Sequence, residues 1–123
     1  MKTNELYRSK VERYIASVSA GDVDGVVSLF APDATVEDPV GSERIQGHEA
    51  IRAFYLRATK MKIKLHPTGP IRIAGSEAAF PFQVRGETPA KMEIDVIDVF
   101  RFDDEGLISE MRAYWGKENM RLG

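Results

Sequence analysis

Apolar residues recur at three- and four-residue spacing in the first part of the chain and at two-residue spacing over most of the rest. Tyr7, Val11, Tyr14, Ile15 and Val18 form one helical stripe that ends at Ala20-Gly21. A short second helix is expected after Asp22, a good N-cap, with Val23, Val26, Val27 and Phe30 inward and Ala31-Pro32 as its stop. A third helix is expected from about His48 to Ala58, with Ile51, Phe54, Tyr55 and Ala58 on one face.

The remaining pattern is that of strands. Ala34 to Asp38 is short and stops at Pro39. Met61, Ile63 and Leu65 alternate until Pro67-Thr68-Gly69-Pro70 breaks the run. Ile71 and Ile73 lead to a turn at Gly75-Ser76, and Ala78 to Arg85 leads to one near Thr88-Pro89. Lys91 to Asp103 is a long strand, which Asp104-Glu105-Gly106 turns into a last one, Leu107 to Trp115. Helices first and hairpin-linked strands afterwards predict an α+β fold. The expected form is a curved antiparallel or mixed sheet wrapped by three N-terminal helices, a cone with an apolar pocket at its mouth.

Polar residues that interrupt these apolar faces are the chemical signal. In the long strand, Met92, Ile94, Val96, Asp98, Phe100 and Phe102 share one face, and Asp98 is its one polar member. A carboxyl in an apolar wall either finds a partner or keeps its proton. Ala34, Val36 and Asp38 share a face of the first strand, with Asp38 at its end. Tyr14 and Tyr55 lie in the helical stripes, and a buried phenol needs a hydrogen-bond partner. Phe80, Phe82, Val84, Met111 and Trp115 fit inward faces of the other strands. The sum is an apolar pocket holding two carboxyls and one or two phenols, a pattern of perturbed acids that marks functional sites. Each residue also has a purely structural reading. Tyrosines in stripes are usually core, Asp before Pro is usually a turn, and a bulge would turn Asp98 outward.

Bulk properties narrow the classes. At 123 residues the chain is the size of one domain. Its net charge of −2 is spread evenly, so no basic stripe suggests nucleic acid. Arg52, Arg57, Lys60, Lys62 and Lys64 are expected to form a solvated face. No run approaches the ~18 apolar residues of a membrane span. The N-terminal segment lacks the apolar stretch of a secretory signal, which fits a cytoplasmic protein. Without cysteine there are no disulfides, thiolate metal sites or cysteine nucleophiles. His48 and His66, at a helix start and before a proline, are too few and too isolated for a metal site. No metal and no cofactor are expected.

Set in order, these residues resemble a known family. The segment GDVDGVVSLFAPDATVEDPVGSERIQG, Gly21 to Gly47, resembles the signature region of bacterial steroid Δ5-3-ketosteroid isomerases, a branch of the cone-shaped nuclear-transport-factor-like proteins. RYIASVSAGD, IRAFY, IDVIDVFRFDDEG and MRAYWGKEN match the family's other motifs in the right order. The resemblance implies that Tyr14 is the catalytic tyrosine, Asp38 the base, Asp98 the oxyanion-hole aspartic acid and Tyr55 the tyrosine that supports Tyr14. Phe30 stands where some members carry a third tyrosine, and the 58–70 stretch matches least. By the same resemblance Phe54, Phe80, Phe82, Val84, Met111 and Trp115 hold the steroid. It further implies a 3-oxo-Δ5-steroid substrate, no cofactor and a homodimer. Ile97 and Val99, apolar among charges on the outward face, agree with a dimer.

Two other readings fit the same fold. One is a dehydratase or cyclase, against which stands the absence of an inward histidine. The other is a binder of hydrophobic ligands that catalyses nothing.

Overall fold

A computed structural model describes residues 2–123. Helix α1, Lys2–Ala20, buries Tyr7, Val11, Tyr14 and Val18, the four- and three-residue spacing read from the sequence. Helix α2 is a single turn, Val23–Val27, whose N-cap Asp22 accepts a hydrogen bond from the Gly25 N–H at 3.0 Å. Helix α3, His48–Lys60, buries Ile51 and Tyr55.

The strands are β1 (Phe30–Glu37), β2 (Ile45–Gln46), β3 (Lys64–Pro67), β4 (Arg72–Ala74), β5 (Glu77–Gly86), β6 (Met92–Phe102), β7 (Ile108–Tyr114) and β8 (Met120–Leu122). They form one sheet in the order β2-β1-β7-β6-β5-β3, with β4 added to β5 and β8 to β6. The β1–β7 pair is parallel and the others are antiparallel, so the sheet is mixed. Alternation along β6 sends Ile94, Val96, Asp98, Phe100 and Phe102 into the interior. Helix α1 packs over β3, β4 and β5, and α3 over β1 and β2. Helix α1 also covers the end of β6, where Tyr7 and Tyr14 pack on Phe102 and Phe100, and the cavity lies against the Met92–Asp98 part of that strand. The α+β cone read from the sequence is the observed fold. No helix among the described residues is long and apolar enough to cross a membrane.

Several boundaries differ from the sequence reading. Phe30 was expected in the second helix but opens β1, because the α2 turn closes at Ser28. Pro32 then lies inside the strand instead of before it. The β1–β7 register shifts between Phe30 and Thr35, and such an irregularity is where a strand tolerates a residue without an N–H. Met61 was expected to start a strand but caps α3, its N–H donating to the Ala58 carbonyl at 3.1 Å. Lys62 follows in the left-handed region at φ 53°, and pairing resumes only at Lys64. The short strands β2 and β8 carry too few residues for alternation to register.

Candidate active site

Asp98 sits mid-strand in β6, opposite Phe80 of β5 and Ala113 of β7. Its side chain points inward because its neighbours in the alternation do. The residue is 2% exposed, and no group among the described residues donates a hydrogen bond to its carboxyl. Burial raises its pKa well above the usual 3.8, and the nearby charge of Asp38 raises it further. Both effects favour the neutral form of the carboxyl, the form that can donate a hydrogen bond.

Asp38 stands one residue beyond β1, at the cavity's edge, and is half-buried. The Trp115 indole N–H donates to its Oδ1 at 2.7 Å. Burial pushes the Asp38 pKa up, while this hydrogen bond to the anion pulls it back. The backbone around it is anchored. The Val40 N–H donates to the Ala113 carbonyl at 2.8 Å, and the Gly41 N–H donates to Glu37 Oε2 at 2.8 Å. The Gly41 N–H and the Arg44 guanidinium hold the Glu37 carboxyl below its usual range. Glu37 is therefore a fixed anion that pins the turn carrying Asp38.

Tyr14 of α1 and Tyr55 of α3 meet with their hydroxyls 2.7 Å apart. Both are buried, and burial holds both phenols protonated, with their pKa values well above 10.0. Each phenol has one proton to give. When Tyr14 donates into the cavity, Tyr55 must be the donor to Tyr14. The chain of phenols ends there, since the ring next to Tyr55 at 6.2 Å is Phe30. The Tyr14 ring is held edge-on by Phe100 at 5.0 Å and Phe80 at 6.3 Å.

These four residues border one cavity of about 390 Å³. Phe54, Phe82, Val84 and Trp115 line it, as read from the sequence. Phe80 and Met111 do not. They are buried in the packing beneath, Phe80 against Phe82 and Phe100, and Met111 beside Phe100 and Val36. Alternation identifies the inward face of a strand but not how far along the cone a residue lies. Met92, Ile94 and Val96 also line it and belong to the alternating set already recognised in β6, as Val18, Ala58, Met61, Ile63 and Leu65 belong to the apolar patterns of α1, α3 and the 61–65 alternation. Met120, Arg57 and the Trp115–Asp38 hydrogen bond had no signal in the sequence. His48 and His66 lie off the cavity, and His48 Nε2 bonds the Phe30 carbonyl at 2.8 Å. Among the described residues no three His, Cys, Asp or Glu side chains gather to hold a metal ion.

Chemically the cavity brings together a protonated phenol, a carboxyl whose neutral form is favoured, and a second carboxyl supported by an indole. Such a set can stabilise an anionic oxygen while a proton is moved nearby.

Comparison with known proteins bears on the family. The SnoaL-like domain matches residues 11–111. A steroid Δ-isomerase of Nocardioides simplex is 36% identical over 114 residues, 92% of either chain. The epoxide hydrolase LasB of Streptomyces lasalocidi is 33% identical over 109 residues, 84% of this chain and 39% of that protein. Among solved structures, the epoxide hydrolase/cyclase-like enzyme SalBIII, studied for its role in pyran ring formation in the polyether salinomycin, superposes with a TM-score of 0.92. It is 28% identical, with both chains wholly covered. These relatives support an isomerase-like role on a fold that also serves hydrolases and cyclases.

The electrostatics of Asp98 carry a stability consequence. The unfolded chain releases this proton near 3.8, and the folded chain keeps it to higher pH. In that window the unfolded state binds fewer protons, so stability falls as pH rises, by up to about 1.4 kcal/mol per unit. Urea unfolding of the wild type and of Asp98→Asn across the acid-to-neutral range is expected to show the wild type losing stability relative to the variant as pH rises. Parallel profiles would mean that Asp98 ionises normally in the fold.

Proposed function

We propose that this chain, which belongs to the SnoaL-like domain family, is a steroid Δ-isomerase that moves the C5–C6 double bond of a 3-oxo steroid to C4–C5. The observation that carries the reading is the unpartnered, buried carboxyl of Asp98 facing the same cavity as Tyr14 and Asp38.

The carbon between the ketone and the double bond is a very weak acid. Removing its proton leaves a dienolate whose negative charge sits on the ketone oxygen, so the barrier depends on stabilising that oxygen. Tyr14 and neutral Asp98 donate to it. Neither donor has to reorganise, and the apolar walls keep water from weakening either bond. A neutral aspartic acid of this kind is known from ketosteroid isomerases and is not new to this chain. Asp38 takes the proton, and the Trp115 N–H stabilises the carboxylate that must be present beforehand. Asp38 then returns the proton two bonds further along, so atoms and charge balance without a redox partner. Tyr55 acts by donating to Tyr14, which frees the Tyr14 proton for the substrate. Phe54, Phe82, Val84 and Trp115 hold the flat rings.

The neutral and ionised carboxyls also suit acid–base opening of an epoxide, the reaction class named for LasB. What favours the isomerase is the Tyr14–Tyr55 pair, which adds a phenol donor to the cavity that Asp98 faces. Ultraviolet absorbance of the conjugated enone formed from 5-androstene-3,17-dione tests the reading directly. Asp38→Asn is expected to lower that rate by about 10²–10⁴-fold while a phenolic steroid still binds. A variant that keeps a large share of the wild-type rate would remove Asp38 from the mechanism. No enone from the wild type would contradict the isomerase itself.

The same reading makes the protein a homodimer through the outer face of the sheet. Ile97 is 48% exposed and Tyr114 42%, and they lie side by side in the β6–β7 register. An exposed apolar patch on a sheet is a natural self-complementary contact. Sedimentation at micromolar concentration is expected to give a dimer that Ile97→Lys weakens. A wild-type monomer would count against it.

A further inference from the structure

The cavity has a closed end and a mouth. Tyr14, Tyr55 and Asp98 form the closed end, at 4%, 2% and 2% exposure. At the mouth Met61, Met92 and Met120 are half-buried and Arg57 is exposed. Arg57 is the one cationic side chain on the cavity wall among the described residues. Sequence alone placed it on a solvated face, and its position on the rim changes that assignment.

Its charge is uncommitted. Arg44, Arg52, Arg85, Arg101, Arg112 and Arg121 each stand against a carboxylate. Among the described residues Arg57 stands against none. Its own helix supplies no acid within a turn, since the neighbouring positions are Ala53, Phe54, Lys60 and Met61. It also sits apart from the two site carboxyls. Neither Asp38 nor Asp98 pairs with it, and the Asp98 carboxyl is shifted upward, the opposite of what a nearby cation would do.

A steroid is flat, rigid and long. With its ketone oxygen between Tyr14 and Asp98 at the buried end, its far end would point toward the mouth. This step rests on the isomerase reading above. We propose that Arg57 determines specificity by taking a carboxylate carried on the end of the steroid remote from the ketone, so that the preferred substrate is a 3-oxo-Δ5 steroid acid and not a neutral dione. The apolar collar of Met61, Met92 and Met120 would partly exclude water from that pair, and guanidinium and carboxylate match in two parallel hydrogen bonds. An arginine that only lays its stem over apolar surface would show no preference for an anion.

The test compares a 3-oxo-Δ5 steroid carrying a side-chain carboxylate with its methyl ester, in both turnover and calorimetric binding. In the wild type the acid is expected to have a kcat/KM about tenfold above the ester, equivalent to ~1.4 kcal/mol. The advantage should shrink with added salt. Arg57→Met, which keeps an apolar stem of similar reach, is expected to abolish the ratio. Arg52→Met, whose guanidinium pairs with Asp24, is expected to preserve it. Equal constants for acid and ester in the wild type, or a ratio that survives Arg57→Met, would overturn the proposal. Preferential binding of the acid without turnover would support the anion subsite and overturn the isomerase reading. Failure of both compounds to bind would overturn both.

Discussion

A carboxyl group buried in an apolar wall with no partner is the constraint on which this site depends. Burial of Asp98 would be costly if the group were charged, so the fold keeps it neutral. Asp38, under the same pressure, has two reliefs that Asp98 lacks. It stands half-buried at a strand end, and the Trp115 N–H supports its anion at 2.7 Å. The pair is thus driven apart. A charge on Asp38 makes ionisation of Asp98 harder still. Two like side chains facing one cavity are shifted to different extents by their surroundings, the kind of separation by which one apolar site can supply both an acid and a base.

The fold supplies those surroundings by leaving a cavity between its helices and the Met92–Asp98 part of β6. Helix α1 covers one flank and α3 the other, and the hydroxyls of Tyr14 and Tyr55 join them across the gap. That single hydrogen bond links which phenol donates within the pair to which is free, because Tyr14 can donate elsewhere only while Tyr55 donates to it. The neighbouring rings of Phe80 and Phe100 pack edge-on against the Tyr14 ring. Met111, initially a wall candidate, belongs to this supporting layer as Phe80 does. Both act on the site only through what they hold in place.

The sequence revealed what repeats and missed what does not. Eleven-residue alternation in β6 singled out Asp98 because every inward neighbour is apolar. Helical spacing placed Tyr14 and Tyr55 inward, but could not show that their hydroxyls meet, since 41 residues separate them. The two-residue strand β2 and the segment holding Met120 are too short for any period. Trp115 read as a greasy wall residue, and its hydrogen bond to Asp38 depends on a contact 77 residues back along the chain. Arg57 read as solvent-facing, which is true of its charge and says nothing of the cavity rim beside it. Periodicity carries burial. Partnership between distant side chains comes only from the way the sheet and helices close.

The account's central claim is the protonation state of Asp98, and the most direct measurement is its carboxyl signal followed against pH. In infrared or carbon-resolved magnetic resonance spectra of the ligand-free protein, a protonated carboxyl is expected at neutral pH, lost in Asp98→Asn and persisting after Asp38 has ionised. An Asp98 that loses its proton in the ordinary carboxylate range, while remaining folded into the same wall, would contradict the account.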